Sequence, residues 1–256
     1  MNELVHLDVT RLGGDPHQGL ATITLDSPHN RNALSRQLVT ELFGHLRTAA
    51  VDPAVKVVLL RSADRVFCSG ADLSEATSEG MEEGARRIVE LQRLIATVPK
   101  PVVTEVVGAV RAGGIGIVAA SDVALVAEDA SFALTEVKLG LAAAIISLTV
   151  HHRMSPRAAA LTTLGGEVFS GAEAATYGLV TKAVPGGDLH QEVASVCASL
   201  ATGASQGLRE SKAILNRDLV AALDARGEEM AALSARLFAS EEAREAMTAF
   251  LERRKK

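Results

Sequence analysis

Residues 67–73 read FCSGADL and follow VKVVLLRS, residues 55–62, a nearly continuous apolar and β-branched run. Such a run reads as a strand with both faces covered. The turn after it therefore lies at the carboxyl end of a buried strand. Ligands of α/β proteins gather there, partly because the following helices aim free N–H groups at that edge. Within the turn, Gly70 supplies an unusual backbone angle, Phe67 belongs to the core, and Asp72 satisfies nearby N–H groups as a turn residue. Other residues with chemical capacity point elsewhere. GIGIVA, residues 114–119, matches a dinucleotide fingerprint with Glu136 downstream, but GAVRA intervenes where a strand should end, and no second half of a doubly wound fold follows. His151 and His152 are neighbours on a helix, so they share no face and read as surface or helix-end residues. Cys68 and Cys197 lie far apart without metal spacing, which fits a reducing cytosol and makes Cys68 a small filler.

The composition narrows the partners. The chain has 256 residues, 48% hydrophobic and 22% charged, enough for one large domain or a domain with a helical appendage. Aromatic residues are 3% with no Trp, and the net charge is −5, which argues against stacking on nucleic acid and against a general anionic partner. An anionic ligand must then be held locally. The first residues lack the charged head and apolar run of a signal peptide. The nearest approach to a membrane span, LGLAAAIISLTV at 139–150, reads as a buried helix.

The elements that must position the turn follow from periodicity. Val5, Leu7 and Val9 alternate, GGDPHQG makes a turn, and LATITL alternates again: a hairpin. Leu38, Leu42, Leu46 and Ala49 recur at helical spacing. A second helix through RRIVELQRLIATV stops at Pro99 and Pro101, and PVVTEVV and DVALVA read as further buried strands. The order is that of an α/β core with crossover helices. Beyond residue 140 the pattern turns helical. Ser155 with Pro156 starts one helix, Ser170 with Glu173 has capping-box spacing, and Gly178 stops that short helix. The last segment puts Ala243, Ala246, Met247, Phe250 and Leu251 on one face.

Four stretches taken together, NRNALS (30–35), FCSGADL (67–73), GAVRAGGIGIVAASDVALV (108–126) and FALTEVKLGL (132–141), resemble the crotonase superfamily of enoyl-CoA hydratases and isomerases. SGAEAATYGLV (170–180) is similar to that family's turn into its C-terminal trimerisation helices. The resemblance spans nearly the whole chain and implies an α/β spiral of β-β-α turns, with a core over 1–195 and a helical region over 196–256. It implies binding of an acyl-CoA thioester, with coenzyme A as part of the substrate and no separate cofactor or metal. It also implies a homotrimer or dimer of trimers in the cytoplasm. By motif, the N–H groups of Ala71 and Gly113 become the two oxyanion donors and Glu136 the catalytic carboxylate. Arg31, Ala33, Ser69, Ala71 and Leu73 become the coenzyme A contacts. The chemistry is coherent: enolate formation on a thioester puts negative charge on the carbonyl oxygen, fixed N–H groups stabilise it without reorganising, and a buried glutamate gains a pKa useful for proton transfer.

One position departs from the family pattern. The two-carboxylate hydratases carry a second glutamate three residues after the oxyanion glycine, where this chain has Gly116. Single-glutamate relatives include double-bond isomerases as well as hydratase-like branches, and the wording around RAGGIGIVAAS and FALTEVKLGLA is similar to the bacterial methylglutaconyl-CoA or short branched enoyl-CoA hydratase branch. Hydration of a 2-enoyl-CoA is the leading expectation. Δ3,Δ2-enoyl-CoA isomerisation and a non-catalytic acyl-CoA-binding role stay open.

Overall fold

The computed structural model describes residues 2–12, 18–72, 75 and 78–253 of the chain. Strands β1 (Val5–Arg11) and β2 (Gly19–Leu25) pair antiparallel with Val5 opposite Leu25, as their alternation requires. Residues 13–17 of the turn between them lie outside the described residues. Helix α1 (Arg36–Val51) begins at Ser35, whose hydroxyl accepts from the Leu38 N–H at 3.3 Å, and it buries Leu38, Leu42, Leu46 and Ala49. Such a cap contributes about 1 kcal/mol. Strand β3 (Val55–Ser62) lies parallel to β2, with Val57, Val58, Leu59 and Leu60 all buried. Each of those side chains stabilises the fold by about 1.5–3 kcal/mol, which is why β3 can anchor the turn that follows.

After α2 (Ser78–Thr97) the chain repeats a unit. Strand β4 (Val102–Val106) joins the large sheet, β5 (Ala109–Arg111) a second sheet, and α3 (Gly113–Ala120) follows; then β6 (Val123–Ala127) returns to the large sheet, β7 (Ser131–Ala133) to the second, and a 3₁₀ turn (Thr135–Leu139) follows. The chain continues through α4 (Ala144–Arg153), α5 (Pro156–Gly165), β8 (Phe169–Ser170), α6 (Gly171–Thr176) and β9 (Lys182–Val184). The two sheets have the orders β1-β2-β3-β4-β6-β9 and β5-β7-β8. Ser155 caps α5, Ser170 and Glu173 form the reciprocal capping box of α6, and Gly178 stands at φ +84° where that helix ends. Among the described residues, no helix is long and apolar enough to cross a membrane; residues 139–150 run from the end of the 3₁₀ turn through an irregular stretch at 140–143 into α4, which buries Ile146, Leu148 and Val150.

Four helices close the chain: α7 (Leu189–Ala201), α8 (Ser205–Leu215), α9 (Arg217–Phe238) and α10 (Glu241–Arg253). Residue 195 lies inside α7, whose Leu189, Val193, Cys197 and Ala201 belong to the main core. A separate apolar cluster joins Leu219, Leu223 and Met230 of α9 to Val89 and Ala96 of α2 and to Ala144 and Leu148 of α4. Arg86–Glu228 at 2.8 Å and Arg93–Asp224 at 2.5 Å flank that seam. Exposed pairs of this kind contribute about 0–1 kcal/mol, so the apolar cluster does most of the holding. Lys212 of α8 is 5% exposed, donates to the Ile95 and Lys100 carbonyls and pairs with Asp122 at 2.8 Å. Its loss would strand a carboxylate near the core, a defect that costs about 3–5 kcal/mol where a pair is fully buried.

Candidate active site

Parallel register brings three separated turns to one edge. Cys68 bridges Val110, and Val110 pairs with Phe132, so the segments leaving those three residues run side by side. Ala71 stands three residues past Cys68, Gly113 three past Val110, and Glu136 four past Phe132. The Arg111 N–H donates to Cys68 O at 2.9 Å, which ties the first two turns together. The N–H groups of Ala71 and Gly113 donate to no atom among the described residues. For Ala71 the reason is its bridge to Leu34, in which Leu34 N–H donates to Gly70 O and leaves the Ala71 N–H outside the ladder. For Gly113 the reason is its place at the first position of α3, where no preceding helical carbonyl exists to accept.

The backbone around these donors is held in sparsely populated conformations. Among the described residues, the non-glycine residues with positive φ are Arg31 (58°), Asn32 (54°) and Ala112 (47°), and all three surround this edge; Gly70 stands at φ 98°. Asn32 tolerates the left-handed conformation and is 2% exposed; its side-chain oxygen accepts from Ser27 N–H at 2.6 Å and its amide donates to Val66 O at 2.9 Å. Asp72 accepts from the Asn30 amide at 2.9 Å, a loop tether consistent with the structural role expected of it. Phe67 and Cys68 are wholly buried, and burial pushes the Cys68 thiol up to about 12, so this cysteine is an inert filler.

A cavity of about 580 Å³ opens on this edge. Its wall includes Arg31, Ala33, Ser69, Ala71 and Glu136. Gly113 is buried just behind the wall, where Ala112 takes its place, and a Cβ on Gly113 would meet Leu34 Cδ1 at 2.7 Å. Arg31 is exposed at the rim, while Ser69 donates its hydroxyl to Asn30 O at 3.0 Å and is half-buried. Leu73 lies outside the described residues.

Glu136 sits in the first turn of the 3₁₀ segment after β7. Its Oε2 is buried without a hydrogen-bond partner, and burial raises its pKa from 4.5 to about 7, offset in part by a backbone hydrogen bond. A carboxyl group near neutrality accepts and returns a proton at little cost. Helix α10 packs over the segment that carries it: a Cβ on Gly140 would lie 3.2 Å from the Ala243 backbone. Phe238 and Met247 reach the cavity from α9 and α10, contributions that no local motif announces; only the apolar face of the last segment hinted at Met247.

A second, smaller cavity of about 100 Å³ shares Ala71, Asp72 and Phe238 with the first; its wall includes apolar Leu34, Val39, Ile88 and Ile145 together with charged Arg36, Glu75, Glu83 and Arg87. Ala71 thus stands where the larger cavity meets the smaller one. Gly116 belongs to neither. A Cβ there would sit 2.5 Å from Ile146 Cγ2 and 2.9 Å from Gln92 Oε1, and the Gln92 side chain is fully committed to Thr149, Ile88 O and Ile145 O. Close packing of α3 on α2 and α4 therefore requires a glycine at 116 and leaves no room there for the second glutamate of the two-carboxylate hydratases. GIGIVA likewise lies inside α3 rather than in a strand-to-helix loop, which removes the dinucleotide reading.

The match to known proteins agrees with this geometry. The sequence matches the enoyl-CoA hydratase/isomerase family over residues 15–256. The crystal structure of an enoyl-CoA hydratase from Mycobacterium avium superposes with a TM-score of 0.90 at 43% identity, covering 99% of this chain and 98% of that one. A second enoyl-CoA hydratase structure, from Mycobacterium avium subsp. paratuberculosis K-10, gives 0.81 at 31% identity over 96% of each chain. The human enoyl-CoA hydratase domain-containing protein 3, mitochondrial, is 30% identical over 242 residues, 93% of this chain and 80% of its own length. With β-β-α turns, two unpaired N–H groups and a buried glutamate converging on one edge, the chain belongs to the enoyl-CoA hydratase/isomerase family of the crotonase superfamily.

Proposed function

We propose that the protein hydrates a short 2-enoyl-CoA thioester, with Glu136 as the sole proton carrier and the Ala71 and Gly113 N–H groups as the oxyanion hole. The observation that carries this reading is the meeting, at one edge, of two unsatisfied backbone donors and a buried carboxyl group whose Oε2 has no partner. The thioester carbonyl sits at the junction of the two cavities, the acyl chain enters the smaller one, and the coenzyme A moiety follows the larger one toward Arg31. Water attacks the β-carbon while the Glu136 carboxylate takes its proton; the C–O bond forms and the C=C electrons move to the carbonyl oxygen. The two N–H groups hold that charge, an arrangement in which one donor is typically worth about 3–4 kcal/mol. Glu136 then returns the proton to the α-carbon, so the net change is addition of water.

A second reading has its own support. With position 116 closed to a second carboxylate, one base that shuttles a proton from the α- to the γ-carbon also fits, which is isomerisation of a 3-enoyl thioester. Parallel assays of crotonyl-CoA hydration and 3-enoyl-CoA isomerisation decide between them: hydration is expected to dominate, and isomerisation without hydration would overturn the first reading. Self-association as a trimer or dimer of trimers is part of the same proposal, supported by exposed Leu161 and Leu164 on α5 and by exposed Ile214 and Leu215 at the end of α8.

A further inference from the structure

Arg111 spends a positive charge on main chain. Its Nη1 donates to Val110 O at 2.8 Å on its own strand, β5, and to Ser131 O at 2.6 Å on β7, while its Nη2 donates to Ser131 Oγ at 3.2 Å. A planar, rigid fork thus spans two neighbouring strands. No carboxylate pairs with this guanidinium among the described residues. The side chain is half-buried, and burial pulls its pKa below the usual arginine value with no neighbouring charge to offset the cost. An arginine kept only as a surface charge would hold its fork in water. The wall of the larger cavity, which Arg111 joins, also carries His29, Arg31, Asp72 and Glu136, a mixture of both signs. What sets Arg111 apart is therefore its bonding to the backbone and not the charge of its surroundings.

The place of this brace connects it to the site. Arg111 stands two residues before Gly113, and its main-chain N–H donates to Cys68 O at the root of the turn that carries Ala71. Ser131 opens β7, the strand that leads into the Glu136 turn. One residue is therefore bonded to all three segments that converge on the edge. The ladder it reinforces is short and loose at its ends: Ser131 N–H reaches Gly108 O at 3.2 Å and Ala112 N–H reaches Ala133 O at 3.5 Å, at and beyond the ordinary range for such bonds. The loose upper rung lies where the two chains part toward Gly113 and Glu136. We infer that Arg111 is a positioning residue that fixes the spacing between the Gly113 N–H and the Glu136 carboxyl by bracing β5 to β7. This rests on the catalytic reading above and adds to it a residue that touches neither the substrate nor the reacting atoms.

The test compares wild type, Arg111→Met and Arg111→Lys in two assays. One is hydration of crotonyl-CoA; the other is exchange of the α-protons of butyryl-CoA in D₂O, which needs the donors and the base but no attack by water. Arg111→Met is expected to lower kcat and the exchange rate by about 10- to 100-fold while thioester affinity changes less than about threefold, the signature of misplaced groups and not of lost binding. Arg111→Lys, whose ammonium keeps a donor for the Ser131 carbonyl, is expected to recover part of the loss. The midpoint of kcat/KM against pH is expected to stay in place, since the raised Glu136 pKa comes from its burial. Urea unfolding gives the folded fraction to which both rates are referred. A kcat that falls only in proportion to that fraction makes Arg111 a stability residue and overturns the inference. So does a loss of affinity of about tenfold at unchanged kcat, which makes it a substrate contact, or a shifted pH midpoint, which makes it act through charge. If wild type exchanges α-protons but hydrates nothing, the hydratase proposal fails and the exchange rates alone decide the inference; a wild type inactive in both assays overturns both. Should Arg111→Met not fold, Arg111→Lys decides by the same split between rate and affinity.

Discussion

The two sides of the candidate site are built from different materials. The proposed donor side is main chain: the Ala71 and Gly113 N–H groups, with positive φ at Asn32, Gly70 and Ala112 and the two hydrogen bonds of the Asn32 side chain around them. The proposed proton-transfer side is one side chain, Glu136, buried with its Oε2 unpartnered. The contrast matches the two tasks. An oxyanion hole works because its dipoles do not reorganise, so strain and tethering serve it. A general base must change charge during each turnover, so strong hydrogen bonds to its ionised form would hold its pKa too low.

Breaking the base side should have the largest effect. Glu136→Gln keeps the shape and cannot accept a proton, and loss of a positioned base costs about 10²–10⁴-fold. We expect kcat to fall by about 10³-fold or more while thioester affinity changes less than about threefold, measured by steady-state hydration and by calorimetry with a saturated acyl-CoA; undiminished turnover would place the base elsewhere. Breaking the donor side comes next. Gly113→Pro removes the N–H, and a loss of about 10²–10³-fold in kcat is expected from the missing donor alone. Activity within about tenfold of wild type would mean that this N–H is not a donor in the reaction.

Stability separates the two sides in opposite directions. Burial raises the Glu136 pKa from 4.5 to about 7, so the folded chain binds more protons than the unfolded chain between those values, and this residue's contribution to stability declines as pH rises across that window. The displacement corresponds to a penalty of about 3 kcal/mol on the ionised form above pH 7. Glu136→Gln is therefore expected to gain stability relative to wild type at pH 8 and much less at pH 4.5, as read by urea unfolding; an identical difference at both pH values would contradict it. For turnover the sign is the reverse: kcat/KM is expected to rise with pH through about 7 as the carboxylate ionises.

On the donor side, Asn32→Ala removes both side-chain bonds that fix a left-handed residue and leaves buried groups unpaired. A loss of about 2–3 kcal/mol in unfolding free energy is expected, with kcat falling more than KM changes. The smallest effect sharpens the comparison most. Ala112→Gly relieves an alanine at φ 47° and is expected to add about 1 kcal/mol of stability while lowering kcat, because the Gly113 donor loses its constraint. A stabilised variant with full activity would show that the strain does not serve catalysis.

Much of this was legible in the chain alone. β3 announced itself by eight residues of nearly unbroken apolar and β-branched character, and the caps at Ser155 and Ser170 by spacing that acts over three residues. These are local signals, set by backbone geometry and burial on both faces. The motifs around Ala71, Gly113 and Glu136 pointed to three positions, and parallel register placed them at one edge. The sequence could not show that position 116 has no room for a side chain, because Gln92 and Ile146 arrive there from α2 and α4. Nor could it show that Phe238 and Met247 return from the far end of the chain to the site. Periodicity identifies which face of a helix is buried; which neighbour that face meets, and how much space is left between them, is decided only when elements distant in sequence pack together.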